Sequence, residues 1–302
     1  MQIEYDIPYR EAGDYDPSLN TLDIYFNPFA GCNPKRTIVV FIHGGSWSAG
    51  DKACFPEPLE QSMPAWFVHR GYVFVAINFR LAGSPRSPVA RVSDMASDIA
   101  KAIKWLTVNG RRFGGRASGF VLIGHSSGAH LAALVATHQR FLQAHRLSAG
   151  HLRGVVAIDI PHFDVPLALQ VLETEDIGLP DQALRRAALY SLFGAQRVEQ
   201  DQVSPAAALG SWLSQTAFLL VSAGWQLGQR QTFTQRMSEH FQNRLSAHGI
   251  QAALCHVDDG EHVDLVQRWG GALAVRVEQF LDEIRTGISM KEAAPGHVRR
   301  RI

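Results

Sequence analysis

Short apolar runs alternate with amphipathic stretches along most of the chain, and this alternation constrains the fold more than any other feature of the sequence. Runs rich in β-branched and aromatic residues predict buried strands at 37–42, 72–77, 120–123, 155–160, 218–221 and 252–257. Apolar residues at helical spacing predict helices at 94–108, 128–139, 233–248 and 271–284. Strands that alternate with helices form a parallel sheet. The sequence therefore predicts an α/β fold, with a central, mostly parallel sheet and helices on both faces.

One region interrupts this rhythm. Residues 164–210 contain helical pieces punctuated by Pro180 and Pro205, and no strand pattern. Such an insertion predicts a small helical cap over the sheet. No linker divides the chain, so we predict a single domain over 1–288 with the cap insertion at about 164–210. The tail at 289–302, which contains a terminal run of three arginines, is expected to be mobile.

The charge balance and the cysteines bear on partners and location. The 29 Lys and Arg residues against 28 Asp and Glu give a net charge of +1, which predicts neither nucleic-acid nor membrane binding. No apolar run reaches the roughly 18 residues of a membrane helix, and the polar start lacks the order of a secretory signal. Cys32, Cys54 and Cys255 show no paired spacing and are read as free thiols, which predicts a cytoplasmic location. The oligomeric state stays open, a homodimer included.

A G-x-S-x-G pattern at 124–128 lies between the strand at 120–123 and the helix at 128–139. A nucleophilic serine needs a tight strand-to-helix turn, and only small residues two positions before and after it leave room for the backbone. The N-terminal N–H groups of the following helix also stabilise negative charge at the same point. This context favours Ser126 as a nucleophile over an exposed serine in a glycine-rich connection.

A second glycine loop, HGGSW at 43–47, follows the strand at 37–42. Loops of this type supply backbone N–H groups to an oxyanion hole, the donor set that holds the charged oxygen of a reacting carbonyl. We take the N–H groups of Gly44 or Gly45 as candidates, with that of Ser127 as their partner. Alone, the loop would be a plain glycine turn at a strand end; together with the turn at Ser126 it favours the oxyanion hole.

The base and the acid are harder to assign. In enzymes built on such a turn the order is Ser, acid, His, with the His after the last strand. His262 fits this position, whereas His256 falls inside the strand at 252–257. The loop after the strand at 218–221 contains no Asp or Glu, and Gln226 lies where the acid is expected. Asp159, one strand earlier, is therefore the preferred acid; Asp164 is expected to anchor the cap loop.

Three motifs together resemble a known family. HGGSW at 43–47, GDK at 50–52 and GHSSGAHLA at 124–132 are similar to the arylformamidase (kynurenine formamidase) branch of the α/β hydrolases and to related bacterial esterases. The likeness runs from about residue 22 to 280. It implies the α/β-hydrolase fold in one domain, no cofactor, and hydrolysis of formamides or small carboxylic esters.

The resemblance also implies site residues. The family's nucleophile falls on Ser126, its base on His262 and its oxyanion donors on Gly44 and Gly45. Family members usually have Asp or Glu after the penultimate strand, and this chain departs from them there. No H-x-x-x-H or HE-x-x-H spacing predicts a metal site. His125 and His130, which flank the nucleophile, are interpreted as structural neighbours.

The function predicted from these residues is a serine hydrolase acting on a small carboxylic ester or aryl formamide through an acyl-enzyme. N-formylkynurenine formamidase is an alternative. A catalytically weak pseudo-hydrolase, kept for small-ligand binding after loss of the acid, is an alternative of another class. Aromatic side chains suit an apolar pocket, and those near the predicted mouth are Trp47, Phe55, Phe163 and Trp225, of which we take Trp47 and Trp225 as substrate-binding.

Overall fold

A computed structural model describes residues 1–10, 18–29, 36–84, 89–178, 181–224, 232–258, 260–287 and, for the backbone alone, 296–298. Within these ranges nine strands form one sheet. They are β1 (Gln2–Pro8), β2 (Thr21–Phe26), β3 (Ile38–Ile42), β4 (Val73–Ile77), β5 (Phe120–His125), β6 (Leu152–Ile158), β7 (Ala217–Ala223), β8 (Ala252–Val257) and β9 (Gly296–Val298).

The sheet has the order β1-β2-β4-β3-β5-β6-β7-β8-β9. The pairs β1–β2 and β2–β4 are antiparallel, and the other pairs are parallel. The strand that precedes the G-x-S-x-G turn therefore lies in the middle, between β3 and β6. The carboxyl ends of parallel strands meet at one edge, where ligand sites of open α/β sheets are found. This order brings the loops after β3, β5, β6 and β8 to the same edge.

Ten α-helices lie in the described ranges. They are α1 (Met63–His69), α2 (Val92–Asn109), α3 (Ser127–Thr137), α4 (Gln139–Gln143), α5 (Val165–Thr174), α6 (Gln182–Phe193), α7 (Arg197–Gln202), α8 (Phe233–Ala247), α9 (Asp264–Gln267) and α10 (Gly271–Thr286). Short 3-10 turns connect some of them, at Leu59–Gln61, Gly110–Phe113, Ala149–His151, Pro205–Ala207 and Ser211–Leu213.

Both faces of the sheet are covered. Successive side chains of a strand point to opposite faces, so Val40 and Ile42 of β3 pack with α2, α3 and α8, whereas Val39 and Phe41 pack with α1 and α10. All five side chains of β3 are buried. A strand buried on both faces has a continuous apolar sequence, which explains why these runs could be recognised from the sequence.

The α/β prediction is confirmed, and each predicted strand and helix overlaps an observed one within a few residues. In the described part of 164–210 the chain forms α5, α6 and α7 and no strand. A small apolar cluster, which includes Ala168 and Leu172 of α5, packs against Phe233 and Met237 of α8. The tail prediction differs at residues 296–298, which form β9 and pair with β8; the rest of 289–302 lies outside the described residues.

The N-terminal strands β1 and β2 were not predicted from the sequence. The sequence of β2, TLDIYF, has a charged residue at its centre, yet all six residues are buried. The reason is an ion pair: Asp23 lies 3.0 Å from Lys52 Nζ, which also donates to Asp6 Oδ1 at 2.8 Å. Lys52 belongs to the GDK motif, 29 positions after Asp23, so local sequence could not predict that this aspartate is buried. The motif thereby attaches the segment after the HGGSW loop to the sheet edge.

We expect Lys52→Met to destabilise the fold by about 3–5 kcal/mol, because it leaves the carboxylate of Asp23 buried without its cation. Urea denaturation monitored by circular dichroism measures the free energy of unfolding. The double variant Lys52→Met with Asp23→Asn is the control and should recover most of the loss. Equal stability of Lys52→Met and the unmodified chain would contradict this role of the ion pair.

Candidate active site

The turn at Ser126 is sterically tight. Strand β5 ends at His125, Ser126 has φ 53° and ψ −126°, and α3 begins at Ser127. A Cβ on Gly124 would lie 2.2 Å from the carbonyl oxygen of Gly128, and a Cβ on Gly128 would lie 2.1 Å from that of Ile42. Both glycines are therefore required by the close approach of the backbone. A non-glycine residue in a rare backbone region costs about 1–3 kcal/mol, a strain typical of functional sites.

The HGGSW loop lies directly beside this turn. A Cβ on Gly44 would come 3.0 Å from the Cβ of Ser126, so the two backbones are neighbours. The backbone N–H groups of Gly44, Gly45 and Ser127 have no acceptor among the described residues. The loop is held by His43, which is buried and stacks on the ring of Phe79 at 4.5 Å. Three donors are thus free in the region that the sequence assigned to the oxyanion hole.

His262 and Asp159 meet, although they are 103 positions apart. His262 Nδ1 donates to Asp159 Oδ2 at 2.6 Å. The other oxygen, Oδ1, accepts from the backbone N–H of Ala223 at 3.0 Å, and the side chain of Thr234 also bonds to this carboxylate. Asp159 has φ 54° directly after β6. The carboxylate is almost fully buried, whereas the imidazole is about half exposed.

The electrostatics of Asp159 favour its charged form. Burial alone would raise the pKa of this carboxyl, but the hydrogen bonds from His262, Ala223 and Thr234 outweigh it and hold the pKa below its usual value. The carboxylate is therefore ionised at neutral pH. A charged acceptor on Nδ1 leaves Nε2 of His262 as the nitrogen that can take a proton.

Ser126 and His262 line the same cavity but share no hydrogen bond in the described part of the chain. In enzymes, the hydrogen bond between a nucleophile and its base often forms fully only when substrate binds. His125 contacts His262: its Nε2 donates to the carbonyl of His262 at 2.8 Å, and the two rings lie 4.6 Å apart. The role of His125 as a structural neighbour was predicted, but this contact was not.

The cavity has a volume of about 1030 Å³. It is lined by Ser126, Asp159 and His262 and, from cap helix α6, by Arg185 and Leu189. A space of this size accommodates a small organic molecule. The cap residues could not be assigned to the pocket from sequence, because their contribution depends on how the insertion folds back over the sheet.

Of the aromatic residues named from the sequence, some line the cavity and others lie in the core. Trp47 lines the cavity. Phe55 and Phe163 do not: Phe55 packs against Phe41 at 5.1 Å, and Phe163 stacks on Phe241 at 4.6 Å, both in the core. Core packing, the interpretation favoured for any single one of these aromatics, therefore holds for Phe55 and Phe163, and neither lines the cavity. Trp225 lies outside the described residues.

The other candidate carboxylate after β6, Asp164, lies at the start of α5. Asp164 caps α5 by accepting from the backbone N–H of Leu167 at 3.3 Å, and it contacts His240 at 3.2 Å. It therefore anchors the start of the cap, as predicted. Gln226 lies outside the described residues. His256 is in β8 and bonds to the hydroxyl of Ser222 at 3.0 Å, so its assignment to the strand is confirmed.

The described part of the chain contains neither a metal-binding cluster nor a membrane-spanning helix. No group of three or more His, Cys, Asp or Glu side chains there could hold a metal ion. Among the described helices, none has the length and apolar character needed to cross a bilayer.

Three histidines around the site predict a pH dependence of stability. Burial lowers the pKa of His125 to about 4, of His130 to about 4 and of His162 to about 3, from an ordinary 6.5. Between about pH 6.5 and about 4 these histidines bind protons in the unfolded chain but stay neutral in the folded chain. The free energy of unfolding therefore falls as the pH falls through this range. Urea denaturation at about pH 7.5 and 5 measures this effect. A midpoint that does not change over this range would contradict it.

Known proteins resemble part of the chain in sequence. Residues 22–157 match the BD-FAE family model. Esterase LipQ of Mycobacterium tuberculosis is 31% identical over 131 residues, which are 43% of this chain and 28% of LipQ. Kynurenine formamidase of Danio rerio is 30% identical over 137 residues, 44% of this chain and 39% of that protein. The matches thus span well under two thirds of these relatives, and the family match ends before Asp159 and His262.

Solved structures resemble nearly the whole chain. Esterase B of Lactobacillus rhamnosis has a TM-score of 0.71 at 19% identity and covers 95% of this chain and 88% of its own. The chain has the α/β-hydrolase fold. A second solved structure, the butyrate-bound esterase Est2 of Thermogutta terrifontis, has a TM-score of 0.66 at 20% identity and covers 97% of this chain and 96% of its own. The predicted α/β-hydrolase fold and the resemblance to esterases and arylformamidases are confirmed.

Proposed function

We propose that this chain is a serine hydrolase that cleaves small carboxylic esters or aryl formamides, with Ser126 as nucleophile, His262 as base and Asp159 as acid. The observation that carries the proposal is the 2.6 Å hydrogen bond between His262 Nδ1 and Asp159 Oδ2, in the cavity that Ser126 also lines. Residues from the ends of β5, β6 and β8 converge there, in the order Ser, acid, His.

The first step is acylation. His262 Nε2 takes the proton of the Ser126 hydroxyl as Oγ attacks the carbonyl carbon, and the N–H groups of Gly44 or Gly45 and of Ser127 stabilise the oxyanion. The charge of Asp159 stabilises the imidazolium that forms. The tetrahedral intermediate collapses, the bond to the leaving group breaks, and His262 returns the proton to the departing alcohol or amine.

The second step is deacylation. His262 takes a proton from water, the hydroxide oxygen attacks the acyl carbon, and the Ser126 ester bond breaks with return of the proton to Oγ. The products are a carboxylic acid, or formate from a formamide, and the free enzyme. Apart from the ester or formamide, water is the only reactant, so the proposed mechanism includes no cofactor.

N-formylkynurenine hydrolysis is the second candidate, because kynurenine formamidase of Danio rerio is among the similar proteins. Rates on 4-nitrophenyl acetate and N-formylkynurenine separate the two. We expect turnover of the ester; a much higher kcat/KM for N-formylkynurenine would make the chain a formamidase. Turnover of neither, with a serine inert to fluorophosphonate, would favour the pseudo-hydrolase and refute the proposal.

We also place the protein in the cytoplasm. Cys54 and Cys255 are free thiols, which persist in a reducing compartment. Cys32 lies outside the described residues. Cell fractionation followed by immunoblotting tests the location, and recovery in the periplasm or medium would contradict it.

A further inference from the structure

His162 lies in the cavity wall without a partner. It follows β6 by four positions, on the loop that also contains Asp159 and contributes Ile160 and Pro161 to the same wall. Only 8% of the residue is exposed. Neither ring nitrogen, Nδ1 or Nε2, has a hydrogen-bond partner among the described residues. An unsatisfied buried polar group costs about 1–3 kcal/mol, so its presence in a binding wall needs an explanation.

The surroundings of His162 are aromatic. Its ring lies 5.7 Å from Trp47 of the HGGSW loop and 5.7 Å from Phe193 at the end of cap helix α6. His130 of α3 contacts the same two rings, at 5.4 Å each. The imidazoles of His130 and His162 therefore share one aromatic cluster, which lies between α3, the HGGSW loop and cap helix α6.

The two imidazoles differ in their hydrogen bonds. Trp47 Nε1 donates to His130 Nδ1 at 3.3 Å, and His130 Nε2 donates to the carbonyl of Val203 at 2.8 Å. These contacts satisfy both nitrogens of His130 and explain it as a structural residue. His162 has neither contact, although a phenylalanine would fill the same aromatic space without an unsatisfied group. His130 thus has a structural reason for both of its ring nitrogens, whereas the ring nitrogens of His162 are left without a partner among the described residues.

The charge state of His162 restricts the ligand. Burial, and the nearby His130, lower the pKa of His162 to about 3. The ring is therefore neutral at neutral pH, with one N–H donor and one acceptor nitrogen. A neutral imidazole among aromatic rings suits an uncharged partner, because a carboxylate or ammonium group would lose its hydration without an opposite charge. A hydroxyl, which both donates and accepts, matches it in either tautomer.

We propose that His162 is a specificity-determining residue, whose ring hydrogen-bonds a neutral hydroxyl of the substrate where the cavity reaches the cluster of Trp47 and Phe193. The proposal rests on the proposed hydrolase function and specifies its substrates as hydroxyl-bearing esters. Both nitrogens are buried in the structure, so binding of the hydroxyl requires the ring to turn about χ2, a soft torsion for histidine.

Matched ester pairs test this role on each side of the scissile bond. The acyl pair is methyl butanoate and methyl 3-hydroxybutanoate; the alcohol pair is phenyl acetate and 3-hydroxyphenyl acetate. For at least one pair we expect the unmodified enzyme to prefer the hydroxylated ester about 10- to 100-fold in kcat/KM. His162→Phe should bring this ratio towards one, and His162→Gln, which keeps a donor and an acceptor, should restore part of it.

A stability measurement separates specificity from packing. His162→Phe removes a polar group that has no partner, so its thermal midpoint should be unchanged or higher. The control His130→Phe leaves Trp47 Nε1 and the carbonyl of Val203 unpaired and should lower the midpoint. A ratio that stays the same in His162→Phe, or an unmodified enzyme with no preference in either pair, would overturn the proposal. Failure to hydrolyse any of the four esters, together with no turnover of 4-nitrophenyl acetate or N-formylkynurenine, would instead refute the hydrolase function.

Discussion

Replacing Ser126 by alanine should lower kcat/KM for 4-nitrophenyl acetate by at least about 10⁴-fold, because without Oγ no acyl-enzyme can form. Alanine keeps the Cβ that already tolerates the φ of 53° at this position. The circular dichroism spectrum and thermal midpoint should therefore stay close to those of the unmodified enzyme. Initial rates measured across a range of substrate concentrations give kcat and KM separately, and the loss should be in kcat.

The control for this variant is Ser246→Ala. Ser246 is exposed near the C-terminal end of α8, and its loss should leave both turnover and stability as they are. If Ser126→Ala keeps more than a tenth of the unmodified activity, another residue is the nucleophile. The acyl-enzyme mechanism at this turn would then be wrong.

Asp159→Asn should lower kcat by about 10³- to 10⁴-fold, although it changes the shape of the side chain very little. The backbone N–H of Ala223 donates to Oδ1, so the amide oxygen of asparagine will keep this contact and turn its NH₂ towards His262. A donor facing Nδ1 forces the proton onto Nε2, the nitrogen that must accept the serine proton. Asparagine also tolerates the left-handed backbone conformation at this position, so stability should change little.

Asp164→Asn is the matched control, since it changes the other carboxylate on the same loop. Asparagine caps helices as well as aspartate does, so α5 should keep its start and activity should stay within about twofold. Pre-steady-state mixing with 4-nitrophenyl acetate separates acylation from deacylation, and Asp159→Asn should slow both. A reversed result, with Asp164→Asn inactive and Asp159→Asn active, would assign the acid to Asp164.

The features that depend on neighbouring residues were predictable. The turn at 124–128 needs two glycines, a preceding apolar strand and a following helix, and all of these lie within about twenty residues of Ser126. The HGGSW loop is equally local. His262 followed from its place after the last strand, since chain order is a property of the sequence. The buried parallel strands were recognisable because both of their faces are apolar.

The sequence narrows the candidates for the acid to a few residues but does not decide between Asp159 and Asp164. The loop after β7, where the acid was expected, contains no carboxylate, and Asp159 and Asp164 both follow β6. What distinguishes them is orientation: Asp159 has φ 54° and contacts His262 at 2.6 Å, whereas Asp164 begins a helix. Backbone orientation at a single residue depends on the packing of β6 between β5 and β7, which no local pattern encodes.

Contacts between residues that are distant in the chain could not be predicted from the sequence. The burial of Asp23 depends on Lys52, and the tautomer of His130 depends on Trp47, 83 positions earlier, and on Val203, 73 positions later. The cap insertion was predicted, but not which of its side chains face the cavity. These features require the tertiary structure, because each combines a polar group with a partner that only folding brings near.

The most direct test of the account is intact-protein and peptide mass spectrometry after incubation with a fluorophosphonate, which reacts with serines activated by a neighbouring base. We predict one added phosphonyl group per chain, on the peptide that contains Ser126, at a rate that falls sharply in His262→Ala and in Asp159→Asn. An unlabelled Ser126 in the folded, unmodified protein, or labelling that is equally fast without the imidazole of His262, would contradict the claim that these three side chains act together.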